Sequence, residues 1–371
     1  MDATPGSVAD HGGASLAHVV PDPGSLRAFR ESVINADVLD AWYDPAPGVI
    51  QALSGDLSWL CRTSPPVYAY GLAGAIAKAR SLDEGTVLAA GGSSEIIHLL
   101  LRQELNALSK VVMLDPMYGE YSHVVGNLIG AEIDYIRLFP ANNFRVEPDE
   151  VTARAKGANA LVLVNPNNPT GYAIPSSDLV QILESLDPKT LFIVDETYVD
   201  FVQGQASLEG QVSKYPNLRV IKSMSKFYAL SGLRVGYLAA PAATVSELMR
   251  FLPPWAVNLL AQVAATEALR DTDYYERMAW ETNQLRLSFA QALAGIGALK
   301  VYPGAANFIL AEIVDPAFNS AKVCAALAEQ GIHIRNCSTQ GPSMGNHFVR
   351  IAVKTTPKNK RMAGALASLL N

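Results

Sequence analysis

The 371-residue chain is long enough for one large or two ordinary domains, and 49% of its residues are hydrophobic whereas 17% are charged. A net charge of -6 gives no basic surface for nucleic acid or an anionic membrane, and no run of about 18 apolar residues predicts a membrane span. The three cysteines (Cys61, Cys324 and Cys337) form no CxxC pair, which disfavours a disulfide framework or a metal site. Together with an N-terminus unlike a signal peptide, this predicts a cytoplasmic protein.

Alternating apolar and mixed segments organise the first two thirds of the chain. Residues 1–45, rich in Gly, Pro, Asp and Ala, predict an irregular arm with a short helix near 25–34. Between about 70 and 250, apolar runs typical of strands covered on both faces alternate with helical segments such as SSEIIHLLLRQELNAL and SSDLVQILESL. The predicted strands are TVLAAG, KVVMLD, EIDYIRL, ALVLVN, LFIVDE, LRVIKS and VGYLAA. This order predicts an α/β fold with a mostly parallel, doubly wound sheet, in which ligands gather at the carboxyl ends of the strands.

The last third of the chain predicts a long helical region followed by a smaller α+β domain. The helical region runs roughly over 257–298, and strand-like and helical segments then alternate to the end of the sequence. We therefore expect an N-terminal arm that packs with the small domain, then a large domain, a connecting helix and the small domain itself, with the ranges 1–45, 46–260, 261–298 and 299–371.

Four short polar stretches follow predicted strands and should meet at one edge of the sheet. The first is GGSSE (91–95), in which Gly92 precedes Ser93 and Ser94 at the start of a helical run. Backbone N–H groups at such a helix start bind phosphate well. A simple N-cap by one of the serines, with Glu95 nearby, explains the same pattern.

The second and third stretches supply polar groups for a heteroaromatic ring. In NPNNPTG, the amide of Asn168 can hold a ring oxygen, or it can serve turn chemistry alone. In DETY, Asp195 follows four apolar residues, so its carboxylate needs a partner such as a protonated pyridine nitrogen, unless it caps the next helix. Tyr198 can donate a hydrogen bond to a phenolate-type oxygen.

The fourth stretch, SMSKFYALSGLR, supplies a reactive amine. Lys226 lies outside any charged run, and burial or cationic neighbours lower the pKa of such an amine enough for Schiff-base formation. Ser223, Ser225 and Arg234 are available for a phosphate. A single lysine is usually a solvated surface residue. Only its combination with the other three stretches, and with Tyr118 as an aromatic residue after a predicted strand, favours chemistry.

The combination meets the needs of pyridoxal phosphate, which are an anchored phosphate, a stacked ring, a protonated ring nitrogen and a lysine that forms an imine. NPNNPTG, DETYVDF and SMSKFYALSGLRVGYL resemble the signature blocks of fold-type I pyridoxal-phosphate enzymes of the class I and II aminotransferase group. The most similar branch is that of histidinol-phosphate aminotransferase and threonine-phosphate decarboxylase. The resemblance covers nearly the whole chain and implies a three-layer large domain.

By this resemblance, Lys226 forms a Schiff base with the cofactor and moves protons, Asp195 pairs with the pyridine nitrogen and Tyr118 stacks on the ring. Asn168 and Tyr198 contact the O3′ atom. The residues that hold the phosphate are Gly92, Ser93, Ser94, Ser223, Ser225 and Arg234.

The resemblance also implies a homodimer with shared active sites, since these enzymes are usually dimeric. A tyrosine of PPVYAYG, either Tyr68 or Tyr70, would then reach the phosphate of the cofactor bound by the other subunit.

Two arginines near the end of the chain are candidates for the substrate. Arg335 and Arg350 lie within or just after strand-like runs, where they suit a carboxylate or phosphate, although a structural salt bridge is the alternative. The stretch HGG resembles a phosphate contact of the threonine-phosphate decarboxylase branch and nominates His11 and Gly12. A flexible arm explains HGG equally well.

One segment departs from that branch. In DAWYDPAPG, Trp42 stands where the branch has a substrate-contacting Asn, and Asp44 replaces the Asn before Pro45. We expect the indole to reshape the pocket and the carboxylate to disfavour a phosphate. The resemblance favours an aminotransferase for an amino acid or amine with an anionic group. Decarboxylation of an O-phospho-amino acid, or specialised biosynthetic chemistry at Cα, Cβ or Cγ, remains an alternative.

Overall fold

The structure, a computed structural model, describes residues 12–17 and 19–370, so His11 lies outside the described residues. The strands are β1 (Ile34–Ala36), β2 (Val87–Ala90), β3 (Lys110–Asp115), β4 (Glu132–Arg137), β5 (Ala160–Val164), β6 (Leu191–Asp195), β7 (Leu218–Ser223), β8 (Gly236–Ala239), β9 (Leu299–Val301), β10 (Phe308–Ile313), β11 (Ile332–Asn336) and β12 (Phe348–Ala352). The helices are α1 (Pro23–Ser32), α2 (Pro47–Arg62), α3 (Tyr70–Arg80), α4 (Ser93–Glu104), α5 (Gly119–Ser122), α6 (Pro148–Arg154), α7 (Ser176–Ser185), α8 (Ala242–Leu248), α9 (Leu259–Ala268), α10 (Thr272–Ala294), α11 (Ser320–Ala328) and α12 (Thr356–Leu370).

The larger sheet has seven strands in the order β2-β8-β7-β6-β5-β3-β4. Only β8 runs antiparallel to its neighbours. No crossover helix separates β7 from β8, and a direct loop between neighbouring strands produces an antiparallel pair. The mostly parallel α/β sheet predicted from the apolar runs is therefore confirmed, with each predicted strand present.

Burial on both faces explains the apolar strands. All residues of β5, β6 and β7 are buried. Helix α4 packs on β7 and β8, and its buried residues (Ile96, Ile97, Leu100 and Leu101) recur at the spacing of one helix face. The register sets Asp195, the last residue of β6, beside Val164 of β5 and Ile221 of β7. The polar loops that follow these strands therefore meet at one edge.

The smaller sheet has the order β1-β11-β12-β10-β9. Strand β1 comes from the N-terminal arm and pairs in parallel with β11, while the strands from the C-terminal part pair antiparallel with one another. This pairing carries the segment after β1 across to the edge of the larger sheet.

The helical region predicted roughly over 257–298 contains two helices, α9 and α10. Asp271 begins the second helix, because its carboxylate accepts a hydrogen bond from the Tyr274 backbone N–H at 3.2 Å. Across the described ranges, every helix is too short or too polar to traverse a bilayer.

Candidate active site

A cavity of about 310 Å³ lies at the carboxyl ends of β5, β6 and β7. It brings together most of the residues that the sequence nominated. Those that line it are Gly12, Ser93, Ser94, Tyr118, Asn168, Asp195, Tyr198, Ser223, Ser225, Lys226, Arg234 and Arg350.

One end of the cavity is the start of helix α4. Gly92 is the N-cap residue, so the cap by Ser93 or Ser94 that the sequence allowed is not formed. The Glu95 carboxylate instead accepts a hydrogen bond from the Gly91 N–H at 2.5 Å. The first-turn N–H groups of a helix attract anions. They lie here beside two serine hydroxyl groups.

Glycine is required at position 92 for two reasons. Its φ is +98°, and a Cβ atom there would lie 2.8 Å from the Nη2 atom of Arg234. The guanidinium of Arg234 therefore lies directly against the start of α4. Its Nη1 atom also donates to the Ser231 carbonyl oxygen at 2.9 Å and to the Ser225 hydroxyl at 3.3 Å. An arginine, two loops and a helix N-terminus thus form a seat for a phosphate.

Asp195 supplies a buried carboxylate at the end of β6. It is 3% exposed and accepts hydrogen bonds from the Tyr121 hydroxyl at 2.8 Å and the Thr197 N–H at 2.9 Å. Burial raises the pKa of Asp195, and these hydrogen bonds offset only part of the effect. A cation in the cavity would stabilise the carboxylate, as a protonated pyridine nitrogen does. Sequence reasoning missed Tyr121, although it lies one helical turn after Tyr118.

Two tyrosines and an amide surround the space next to Asp195. Burial, followed by the charges of Glu120 and Asp195, raises the pKa of Tyr118 to about 12. Burial also raises the pKa of Tyr198, whose ring packs edge-on against Phe308 at 5.4 Å between centroids. Both hydroxyl groups therefore remain protonated donors at neutral pH.

One of the two polar atoms of the Asn168 amide already has a hydrogen-bond partner. Its Oδ1 atom accepts a hydrogen bond from Arg350 at 2.6 Å. The amide nitrogen is left as the donor for an oxygen in the cavity. A donor in this place is compatible with the role that the sequence predicted for Asn168, beside a ring oxygen.

Lys226 carries the reactive amine of the loop between β7 and β8. Its side chain is 18% exposed, and its Nζ atom lies 3.0 Å from the Oδ1 atom of Asp40. Burial lowers the pKa of Lys226, Asp40 opposes this, and Arg234 and Arg350 reinforce it, so the net shift is downward. A lowered pKa suits an amine that must act as a nucleophile. Sequence reasoning missed Asp40, although it is the first residue of the DAWYDPAPG segment.

The two candidate substrate arginines have different surroundings. Arg335 and Arg350 are directly opposite each other on β11 and β12. Arg350 lines the cavity and donates to the Asp37 carbonyl oxygen at 2.8 Å. The Nη1 atom of Arg335 lies 4.0 Å from the Asp37 carboxylate, and Arg335 is not among the residues that line the cavity. Its position therefore favours the structural salt bridge over anion binding.

Trp42 and Asp44, which we expected to shape the pocket, are not among the residues that line the described cavity. The Trp42 indole N–H donates to the Thr282 hydroxyl on α10 at 2.9 Å, so the ring packs against this helix. The carbonyl oxygen of Asp44 accepts from Tyr274 at 2.6 Å, and the residue is exposed. The segment after β1 reaches the cavity through Asp37, Val38 and Leu39 instead.

Tyr68 and Tyr70 also lie outside the cavity lining. Their rings contact each other edge-on at 5.9 Å, and Tyr70 is 63% exposed. The Tyr68 N–H donates to the Pro254 carbonyl oxygen at 2.8 Å, next to the exposed Trp255.

The residues of the cavity fit pyridoxal phosphate. The seat at Arg234 and α4 matches its phosphate, the buried carboxylate of Asp195 matches its ring nitrogen, and the half-buried amine of Lys226 matches its aldehyde. Tyr118 offers an aromatic face beside this set.

Comparisons with known proteins agree with this chemistry. The sequence model of the family "Aminotransferase class I and II" matches residues 40–366. A histidinol-phosphate aminotransferase of Symbiobacterium thermophilum is 31% identical over 88% of this chain and 87% of its own length. The crystal structure of the histidinol-phosphate aminotransferase from Clostridium acetobutylicum has a TM-score of 0.82 and 25% identity, and covers 91% of this chain and 98% of that one. A Sinorhizobium meliloti histidinol-phosphate aminotransferase, solved with pyridoxal-5′-phosphate, shares the fold with a TM-score of 0.82, 21% identity and 95% coverage of both chains.

Proposed function

The chain belongs to the class I and II aminotransferase family, and we propose that it moves the amino group of an α-amino acid with Lys226 as the covalent anchor of pyridoxal phosphate. The observation that carries the proposal is the joint position of Lys226, Asp195 and Arg350 around one cavity. An amine, a buried carboxylate and a guanidinium are the three groups that this reaction needs from the protein.

The cofactor, when bound, supplies an aldehyde that condenses with amines and a ring that accepts electrons from the neighbouring carbon. The role of Asp195 is to keep the ring nitrogen protonated, because a buried carboxylate stabilises a cation beside it. Lys226 removes and returns a proton at the carbon next to the substrate amine. Asn168 and Tyr198 donate hydrogen bonds that orient the ring.

We propose that Arg350 binds the α-carboxylate of the amino acid. It is buried and lines the cavity, and its Nε atom makes no hydrogen bond within the described residues. A substrate carboxylate would supply that missing acceptor. Arg335 contributes indirectly, because it lies 4.0 Å from the carboxylate of Asp37, the residue whose carbonyl oxygen accepts a hydrogen bond from Arg350.

The test is a single-turnover reaction of the cofactor-loaded protein with separate amino acids, including phosphorylated ones. Transamination predicts loss of the cofactor's aldehyde absorbance, formation of pyridoxamine phosphate and release of a 2-oxo acid. Release of CO₂ without transfer of the amino group would contradict the proposal and favour a decarboxylase.

The role of Lys226 is tested with borohydride, which fixes the cofactor covalently to the lysine that binds it. Mass spectrometry should find the cofactor on the Lys226 peptide of the wild type and of the control Lys189→Ala, an exposed lysine. Lys226→Ala should lack the adduct. An adduct that survives this substitution at another lysine would refute the assignment.

We also propose that the active form is a homodimer in which Tyr68 or Tyr70 reaches the phosphate seat of the other subunit. The support is an exposed apolar surface formed by Val67, Tyr70, Phe251 and Trp255. It adjoins the seat, because a Cβ atom on Gly91 would lie 3.2 Å from the Ala256 carbonyl oxygen. An exposed apolar patch of this kind marks an interface.

Subunit mixing tests the shared site. Lys226→Ala and the double variant Tyr68→Phe/Tyr70→Phe should each have little activity, whereas subunits exchanged between them should regain part of it. A fully active monomer in sedimentation experiments would contradict the proposal.

A cytoplasmic location is the last part of the proposal. Cys61 is an exposed free thiol, which suits a reducing compartment. Burial raises the pKa of Cys324 and of Cys337 to about 12, which makes both of them unreactive packed residues. Fractionation of the source cells tests the location, and recovery outside the cytoplasmic fraction would contradict it.

A further inference from the structure

The segment after β1 is held firmly across the cavity. Three side chains from the C-terminal part donate hydrogen bonds to its carbonyl groups, namely Arg350 to Asp37 at 2.8 Å, Asn307 to Leu39 at 2.9 Å and Lys354 to Asp40 at 3.0 Å. Successive backbone anchors of this kind fix the position of the side chains between them. The Asp40 carboxylate therefore stands in a defined place.

That carboxylate is in direct contact with the reactive amine. The Oδ1 atom of Asp40 lies 3.0 Å from the Nζ atom of Lys226. The contact joins residues 186 positions apart, so it is a product of the fold and not of local geometry. The carboxyl group is 45% exposed.

The carboxylate stays ionised near neutral pH. Burial raises the pKa of Asp40, but Lys226, a Ser231 hydrogen bond and Lys354 outweigh it and hold the pKa below its usual value. Asp40 is therefore a poor proton acceptor at neutral pH and acts as a fixed negative charge.

The other charged groups that face Lys226 disfavour the protonated form of its amine. Arg234, just before β8, and Arg350, on β12, both lower the pKa of the amine, as does burial. Asp40 itself is faced by Lys226, Lys354, Ser231 and Tyr198. Within the described residues, Asp40 is thus the carboxylate that contacts the amine and balances two guanidinium groups.

We propose that Asp40 is the counterion of Lys226, a positioning residue that retains a proton on the lysine nitrogen and aims its side chain across the cavity. The inference rests on the proposed function for what Lys226 does. A residue that both removes and returns a proton works best when its pKa lies near the working pH. Without Asp40, the arginines and burial would leave the amine too weak a base to hold the proton that it removes.

The first test uses the cofactor-free protein. An amine-selective acylating reagent modifies only the deprotonated amine, and mass spectrometry gives the rate at the Lys226 peptide as a function of pH. Asp40→Asn should raise the deprotonated fraction of the Lys226 amine. At a fixed pH below the midpoint of the Lys226 titration, the acylation rate should therefore rise by about tenfold. A rate equal to or below that of the wild type would overturn the proposal.

Two matched variants separate the charge from general effects. Asp40→Glu keeps the carboxylate and should return the rate towards the wild-type value. Asp83→Asn removes an exposed carboxylate from the turn after α3 and should leave the rate unchanged. If circular dichroism shows that Asp40→Asn is unfolded, Asp40→Ser is measured in its place, with the same result expected and the same result overturning the proposal.

The second test uses the cofactor-loaded protein and distinguishes this inference from the proposed function. The pH midpoint of the cofactor's absorbance change should fall in Asp40→Asn and remain unchanged in Asp83→Asn. A wild type that never binds the cofactor would defeat the proposed function, while the acylation rates would still decide the role of Asp40. If the wild type binds the cofactor and the pH midpoint of its absorbance change is the same in Asp40→Asn, the counterion role of Asp40 is overturned and the proposed function is not.

Discussion

The guanidinium of Arg350 donates a hydrogen bond of 2.6 Å to the Oδ1 atom of Asn168 and so links the smaller sheet to the loop after β5. Burial lowers the pKa of Arg350, and the residue has no carboxylate within salt-bridge distance among the described residues. Its cation also lies 5.7 Å from the centre of the Phe308 ring. Its hydrogen-bond acceptors among the described residues are an amide and a peptide carbonyl. An anion that binds beside such a buried cation stabilises it further, which is the physical basis for assigning Arg350 to a substrate carboxylate.

Arg350→Lys should weaken substrate binding more than it slows the reaction. A lysine keeps the charge but loses the planar fork that binds a carboxylate at two points, so we expect KM to rise about tenfold or more, equivalent to about 1.4 kcal/mol or more. Steady-state kinetics measure the change. The control is Arg137→Lys on β4, which is not among the residues that line the cavity. An unchanged KM would exclude Arg350 from substrate binding.

Tyr121→Phe should weaken the hold on the cofactor without removing any group that touches its reactive end. The variant loses the 2.8 Å hydrogen bond to Asp195, which raises the pKa of that carboxyl group further and weakens its attraction for a cation. A hydrogen bond to a charged group contributes about 1.5–3 kcal/mol, so we expect the cofactor Kd to rise at least about tenfold.

Absorbance titration with the cofactor measures the effect of Tyr121→Phe. The matched control is Tyr215→Phe, which removes a 2.7 Å tyrosine–carboxylate hydrogen bond to Glu184 at the surface. Equal affinities in both variants would show that Tyr121 does not act through Asp195.

The features that could be predicted from the sequence are those that are encoded locally. The apolar runs predicted every strand of the larger sheet because burial on both faces requires them. The motifs around Asn168, Asp195 and Lys226 could be recognised because each follows a strand and the carboxyl ends of parallel strands meet.

Contacts between distant segments could not be predicted in this way. Asp40 and Tyr121 acquire their roles from residues 186 and 74 positions away, and no spacing in the sequence encodes either contact. Trp42 was assigned to the pocket from its place in a segment, but the direction of its side chain depends on an acceptor on α10. Arg335 and Arg350 look equivalent in the sequence. In the fold they lie opposite each other, and the Asp37 carboxylate lies near the guanidinium of Arg335.

Gly92→Ala should lower cofactor affinity through the phosphate seat. The φ of +98° strains any residue with a side chain, and the new methyl group would push against Arg234 at 2.8 Å. We expect the cofactor Kd to rise by more than about tenfold, with a loss of stability of about 1–2 kcal/mol from the strain. Gly74→Ala is the control, since a Cβ atom there meets nothing within 4 Å. Similar affinities for the two variants would contradict the assignment of the seat.

Trp42→Phe should reduce stability and leave substrate selection unchanged. The indole N–H bonds to Thr282 at 2.9 Å and the ring contacts Tyr43 edge-on, so its loss should lower the free energy of unfolding by about 1–2 kcal/mol. Urea denaturation and KM values for a panel of amino acids measure the two effects. A changed order of substrate preference would show that Trp42 takes part in substrate selection.

Glu196 should make the stability of the fold depend on pH. Its buried carboxyl group accepts a hydrogen bond from the Leu208 N–H at 2.9 Å and another from the Ser207 hydroxyl, and lies 3.7 Å from the amine of Lys222. Burial raises its pKa from 4.5 to about 7, although Lys222 opposes the shift. Between these two values the folded state holds a proton that the unfolded state releases. The contribution of this proton to the free energy of unfolding is therefore complete below pH 4.5 and is lost as the pH rises to about 7.

Urea denaturation of Glu196→Gln between pH 4.5 and 7 tests this linkage, because an amide has no proton to lose in that range. The free energy of unfolding of the variant, minus that of the wild type, should rise by up to about 3 kcal/mol from pH 4.5 to pH 7. This change does not depend on the difference between the two proteins at pH 4.5. Lys222 keeps its ion pair with Asp200 at 3.2 Å in the variant, so it is not left without an anion. The exposed Glu132→Gln should follow the wild type throughout. Parallel curves for Glu196→Gln and the wild type would mean that Glu196 is ionised across the window and that Lys222, not burial, dominates its pKa.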